Sequence, residues 1–369
     1  MLRIPMYDFP REYAVNRDAY LSLFDAVCRS GQFSDGQFSH AFERDFAAYT
    51  GAPYAASVSN GTSALVLSLR ALGIGRGDEV IVPSATFTAT PGAVMMCGAT
   101  PVFADIEPDT WEISVASVEE RITKKTKAVI GVHLYGGMFD VEAMQDLCCA
   151  YGLPFIEDTA QAVGSEWKGK KAGTFGKTGC FSFYPTKNLG AFGEAGCVVS
   201  GDEALISRIN ALKEHDSRSG EFGELGYNMR MDGLQGAVLS FKLARLDAFT
   251  ERKNEIARLY RDSISGSGSM TCQYTPSHVR NSFHQFVIKI SDRERFISCM
   301  KERGVETAVQ YRVPCHRQKV FADVAGAVSL PATEELMAGC VSVPAYPFLT
   351  DDEITYVSEQ LNLYARKLL

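Results

Sequence analysis

The chain has 369 residues, 46% of them hydrophobic and 22% charged, and a formal net charge of -7. That length makes two domains the expectation, and the composition is ordinary for a globular protein. A mildly acidic chain offers no basic field to a polyanion, so neither nucleic acid nor an anionic membrane is an expected partner.

Ten cysteines lie scattered along the chain without a C-x-x-C spacing, so no metal site and no dithiol site are expected. The first residues hold no apolar stretch of the signal-peptide kind, and no apolar run has bilayer-spanning length. A reducing cytoplasm is therefore the expected setting.

In chain order, short apolar runs alternate with stretches of helical periodicity through the first two-thirds. The expected strands are Ala55–Ser59, Val80–Pro83, Val102–Asp105, Ala128–His133, Pro154–Glu157, Gly179–Phe183 and Cys197–Ser200. Expected helices between them include Ala64–Leu72 and Val141–Tyr151. Such alternation makes a mostly parallel sheet covered on both faces, with ligands at the carboxyl ends of the strands. One long helix is expected from Leu234 to about Ser263, with Leu239, Leu243, Leu246 and Phe249 on one stripe. The run Ser265-Gly266-Ser267-Gly268-Ser269 ends it. A strand Gln285–Ile290 and helices near Asp292–Arg303 and Asp351–Ala365 complete the reading. The domain boundary is expected at the long helix, giving a large domain over 1–245 and a smaller one over 246–369.

Three segments carry residue types suited to chemistry. Ser59-Asn60-Gly61-Thr62-Ser63 follows a strand and opens a helix. Backbone N–H groups there form an anion site, Gly61 lets an anion approach, and Thr62 and Ser63 add hydroxyls. The same residues also suit a plain N-cap. Asp158 ends an apolar strand, where it can hold a cationic ring nitrogen or simply cap the next helix. Lys187 follows the strand in Ser182-Phe183-Tyr184-Pro185-Thr186-Lys187, where it is either a surface charge or a buried amine fit for a Schiff base. Two other motifs are set aside. Gly173–Thr178 nearly matches a phosphate-binding loop but has Lys171 where glycine is required, and Gly73–Gly77 precedes its strand instead of following it.

An anion site, the aromatic Phe87 after a strand, an Asp at a strand end and then a lysine supply the parts of a pyridoxal phosphate site. At this point the chain resembles the DegT/DnrJ/EryC1/StrS family of sugar aminotransferases. The matching segments are Ser59–Leu65, Val82–Thr90, His133–Gly136, Glu157–Ala162, Ser182–Leu189, Gly226–Asp232 and Leu330–Leu336. They span about Gly31 to the C-terminus. The resemblance implies an α/β chain of fold type I, aspartate-aminotransferase-like. Its large domain has a mostly parallel, mixed seven-stranded sheet, and its smaller C-terminal domain is also α/β.

Residue by residue, the resemblance implies that Gly61, Thr62, Ser63 and Ser182 bind the phosphate of pyridoxal 5'-phosphate. Phe87 stacks on its ring, Asp158 pairs with the ring nitrogen, Gln161 lies near the ring hydroxyl and Lys187 forms the Schiff base. Asn228 reaches the phosphate of a neighbouring subunit, which implies a homodimer with shared active sites. Tyr184, Arg230 and His316 lie where the family meets substrate. The implied reaction moves an amino group from L-glutamate, leaving 2-oxoglutarate, to a nucleotide-linked keto sugar. The run Leu239–Asp247, with Arg252 beyond, is similar to relatives that aminate C3. Amination at C4, or of a cyclitol, is the alternative. A dehydratase branch carries His at the lysine position, which Lys187 argues against, and a non-catalytic sensor has no need of Lys187 and Asp158. Ala195, Met229, Gly236 and Cys315 depart from common family residues and bear on substrate, not cofactor.

Overall fold

The computed structural model describes residues 3–215 and 224–367. The apolar runs become β1 (Tyr54–Val58), β2 (Glu79–Pro83), β3 (Thr100–Ala104), β4 (Thr126–Val132) and β5 (Phe155–Asp158). Two short strands follow, β6 (Glu166–Trp167) and β7 (Lys170–Lys171), then β8 (Thr178–Ser182) and β9 (Gly196–Ser200). Beyond them lie β10 (Met270–Cys272), β11 (Val279–Arg280), β12 (Phe286–Ile290) and β13 (Cys340–Val343).

The seven strands expected from apolar runs form one sheet in the order β1-β9-β8-β5-β4-β2-β3. Its neighbours are parallel except around β9, which runs against both β8 and β1. Strands β5, β8 and β9 are buried at every residue. That explains why they read as continuous apolar runs and not as alternating ones: helices cover both faces. On one face Leu65, Leu69, Val82, Ile130, Ile156 and Val198 form a core with α3 (Gly61–Ala71). The other face packs Ile81, Val129 and Phe155 on the helix Val141–Tyr151. Further along it, Phe181, Phe183 and Val199 meet Phe42 and Phe46 of α2 (Gln37–Thr50). Each buried side chain of this kind contributes about 1.5–3 kcal/mol relative to exposure.

The expected single helix from Leu234 is two helices, Gly233–Leu243 and Leu246–Ile264. The break has a packing reason. Leu239, Leu243 and Leu246 serve the core of the main sheet, whereas Ile256, Tyr260 and Ile264 serve a second core around β10, β12 and β13. That second core includes Ile4, which is fully buried and bridges to Val305. The N-terminal helices α1 (Phe9–Ser30) and α2 were not expected. Among its 22 residues α1 buries only Asn16, Tyr20 and Val27, too few for a readable stripe.

Candidate active site

The rim of the sheet gathers the chemistry. The segment after β2 brings Thr86, Phe87 and Thr90, the end of β5 brings Asp158, and the segment after β8 brings Tyr184, Thr186 and Lys187. Because β9 is reversed, its start also lies at this edge and brings Glu194. These residues surround a cavity of about 630 Å³, which His284, Gln310 and Tyr311 also line.

One end of the cavity is the start of α3. Asn60 caps the helix, its Oδ1 accepting from the Ser63 N–H at 2.8 Å. The N–H groups of Gly61 and Thr62 take no partner among the described residues, and both residues line the cavity. Cap and anion site are thus compatible, since the cap uses a different N–H. Gly61 is required by contact: a Cβ there would lie 2.7 Å from Cβ of Ser182. Ser182 therefore sits against the helix start and adds a hydroxyl.

At the other end, Asp158 is 5% exposed. Its Oδ2 accepts from Thr90 Oγ1 at 2.8 Å and its Oδ1 from the Ala160 N–H at 3.2 Å. Burial pushes its carboxyl up, while Thr90, Ala160 and the charge of Lys187 oppose that. A buried carboxylate of this kind calls for a cationic partner. Beneath it, Glu157 holds the neighbouring loop. Its oxygens accept from the N–H groups of Gly173, Phe175 and Gly176 at 2.7–2.8 Å, and from His133 at 2.9 Å. The segment resembling a phosphate-binding loop thus wraps a carboxylate of its own chain.

Lys187 is half-buried at the cavity wall. Its backbone N–H donates to Tyr184 O at 2.8 Å, and Asn188 Nδ2 donates to Ser282 O at 2.8 Å, so the turn is pinned. Burial lowers its amine to about 8, against the opposing pull of Asp158. Gln161 is fixed by the Tyr135 N–H, donating to Oε1 at 2.8 Å, and by its own donation to the Tyr311 hydroxyl at 3.2 Å.

Among the expected site residues, Gly61, Thr62, Phe87, Asp158, Gln161, Ser182, Tyr184 and Lys187 line this one cavity. Ser63 does not line it; its hydroxyl pairs with Ser59 at 2.7 Å. Asn228 is exposed and lies outside the cavity, as does Arg230. His316 also lies outside the cavity and is 4% exposed, bonded through Nδ1 to Ser84 at 2.6 Å and through Nε2 to Glu334 at 2.9 Å. Sequence reasoning missed Thr90, Thr86, Glu194, His284, Gln310 and Tyr311. Thr90 stood within a quoted motif, and its link to Asp158 spans 68 positions, which no local pattern encodes.

The residues present fit pyridoxal phosphate. The uncommitted N–H groups suit a phosphate, the buried Asp158 suits a ring cation, Phe87 offers an aromatic face, and Lys187 has an amine poised near neutrality. No helix among the described residues is long and apolar enough to cross a membrane.

Comparison with known proteins points the same way. The model of the DegT/DnrJ/EryC1/StrS aminotransferase family matches residues 16–362. A "pleiotropic regulatory protein" of Geobacillus stearothermophilus is 37% identical over 99% of both chains. A UDP-N-acetyl-3-dehydro-alpha-D-glucosamine 3-aminotransferase of Acidithiobacillus ferrooxidans is 37% identical over 96% of both. The crystal structure of DesV from S. venezuelae, in complex with a ketimine intermediate, superimposes with a TM-score of 0.96 at 36% identity, covering 99% of both chains.

Proposed function

The chain belongs to the DegT/DnrJ/EryC1/StrS aminotransferase family, and from that premise we propose that it transfers an amino group from L-glutamate to the C3 ketone of a nucleotide-linked deoxysugar. Aminotransferases of this family depend on pyridoxal phosphate, and a solved neighbour holds PMP. The observation that carries the reading is the placing of Lys187, Asp158 and the start of α3 around a single cavity.

When bound, the cofactor supplies a carbonyl carbon to carry nitrogen and a ring that accepts electrons from the bond being broken. The chain's own residues do the rest. Gly61, Thr62 and Ser182 would hold the phosphate, and Asp158 would keep a proton on the ring nitrogen. The Lys187 amine would be the group that moves a proton from the carbon of the amino donor. Positioned proton transfer of this kind is worth about 10²–10⁴ in rate. Lys187 meets its requirement, because an amine titrating at about 8 has a lone pair available near neutral pH.

Assembly belongs to the same proposal. Phe87 and Tyr184, which share the rim of the cavity, are 53% and 47% exposed, and exposed apolar clusters mark interfaces. A second copy seated there would bring its Asn228 to the phosphate and its Arg230 to the substrate. Nucleotide-sugar relatives support the substrate class. The deciding experiment incubates the amino form of the enzyme with nucleotide-linked 3-keto sugars, 4-keto sugars and cyclitols. Nitrogen should leave the enzyme fastest for a 3-keto sugar, and turnover confined to 4-keto sugars or cyclitols overturns the C3 assignment.

A further inference from the structure

Tyr311 lines the cavity and has no part in the chemistry derived so far. Its ring stands 5.7 Å from that of Phe87, tilted by 32°. Its backbone is held on both sides. The hydroxyl of Tyr135, a fully buried residue, donates to Gln310 O, and Cys340 Sγ donates to Tyr311 O at 3.6 Å.

A backbone group decides what the Tyr311 hydroxyl can do. The Tyr135 N–H can only donate, and it donates to Gln161 at 2.8 Å. The atom it meets is therefore the Gln161 oxygen, and the other arm of that amide is its NH2. That NH2 donates to Tyr311 Oη at 3.2 Å. With its oxygen accepting, the phenol has its own proton to give, and no acceptor for it lies among the described residues. Burial and the charge of Asp158 push the phenol up, so the proton stays on. Gln161 keeps a second N–H for the ring oxygen of the cofactor, near which the family resemblance puts it. Tyr311 stands one residue further out, and its proton is left for the other molecule that enters the cavity.

The charges of the wall say which molecule that is. With His284 kept neutral by burial, Lys187 is the only cation lining the cavity among the described residues, beside the acids Asp158 and Glu194. A dicarboxylate finds little there to hold it, whereas an uncharged polyol ring suits neutral groups such as Tyr184, Gln310 and Tyr311. We infer that Tyr311 is a specificity-determining residue for the amino acceptor: its hydroxyl donates to an oxygen substituent on the ring that bears the ketone. The inference rests on the aminotransferase reading of the site and adds to it the group that recognises the acceptor.

The test compares the wild type with Tyr311→Phe, which removes the hydroxyl alone, and with Tyr311→Leu should the Phe variant fail to fold. The amino form of each is reacted with nucleotide-linked 3-keto sugars and with analogues that each lack one oxygen substituent of the keto ring. Loss of one neutral hydrogen bond should lower the second-order rate constant with the full sugar about tenfold. The half-reaction with L-glutamate and the affinity for cofactor should keep their wild-type values, which a merely structural lesion would not spare. One analogue should cost the wild type the same factor and cost the variant nothing further, because the partner of the missing oxygen is already gone. Losses that multiply for every analogue overturn the inference. So does an equal loss with L-glutamate, or a weakened or spectrally shifted cofactor, since the proton then serves the amino donor or the cofactor. A wild type that aminates only 4-keto sugars or cyclitols overturns the C3 assignment alone, and the same comparison on that substrate decides Tyr311. A wild type that aminates no ring ketone overturns both.

Discussion

Asp158 is held in place by its own chain, so its charge can be removed without dismantling the site. Thr90 and Ala160 donate to its two oxygens; an amide oxygen can keep the Ala160 bond, and the amide NH2 can donate to Thr90 Oγ1, whose hydroxyl can turn to Thr86. Asp158→Asn should therefore keep the wild-type melting temperature and bind cofactor, but lose the ion pair with the ring. A hydrogen bond to a charged group is worth about 1.5–3 kcal/mol, roughly 10- to 100-fold, as a lower bound on the loss of turnover. Turnover near wild type would refute the role. Lys187 makes a matching pH prediction. Its lowered amine is neutral above about 8 and protonated below, where it has no lone pair to accept a proton. The glutamate half-reaction should fall as pH drops through that value, by about tenfold per unit below it. A flat rate from pH 6 to 9 would assign the proton transfer elsewhere.

Elements supply what single residues cannot. The start of α3 and the end of β8 are fitted to one another at Gly61 and Ser182. Gly61→Ala should push Ser182 away and weaken cofactor affinity tenfold or more, about 1.4 kcal/mol, while leaving the helix intact, because alanine is the better helix former. Equilibrium titration of the cofactor-free chain measures this. The seven strands of the main sheet were legible because burial on both faces forces continuous apolar runs. Lys187, Asp158 and Gly61 were legible because Asp158 ends a strand, Lys187 lies in the turn after one and Gly61 opens a helix. The break between Leu243 and Leu246 was not, because the apolar spacing runs through it and only the presence of two cores interrupts the axis. Tyr311, Gln310 and His284 were hidden for a related reason. They reach the site from the far part of the chain, and nothing near them in sequence marks a cavity.

At the scale of the molecule, the proposal of a shared site has a direct test. Lys187→Ala and Asn228→Ala are each expected to be inactive at limiting cofactor. Mixed under conditions of subunit exchange, they should regain activity, since one site of the heterodimer carries both lesions and the other carries neither. If Asn228 serves its own subunit's site, every site keeps one lesion and mixing restores nothing. A monomer in sedimentation at working concentration would end the proposal.

The reversed strand β9 also sets the order of events as the chain is made. Among the described residues edge strand β1 has no neighbour but β9, with Tyr54 opposite Ser200, so about 140 residues must leave the ribosome after β1 before its ladder can form. The turn holding Lys187 lies in the link between β8 and β9. Closing the sheet edge and presenting the lysine to the start of α3 are therefore one late event. Pairing over such separations is slow because loop-closure entropy is lost before contacts compensate. In refolding from denaturant, far-UV ellipticity should recover before the visible absorbance of bound cofactor does. Fragments ending before Gly196 should keep helix yet bind none, with β1 left as an open edge prone to association.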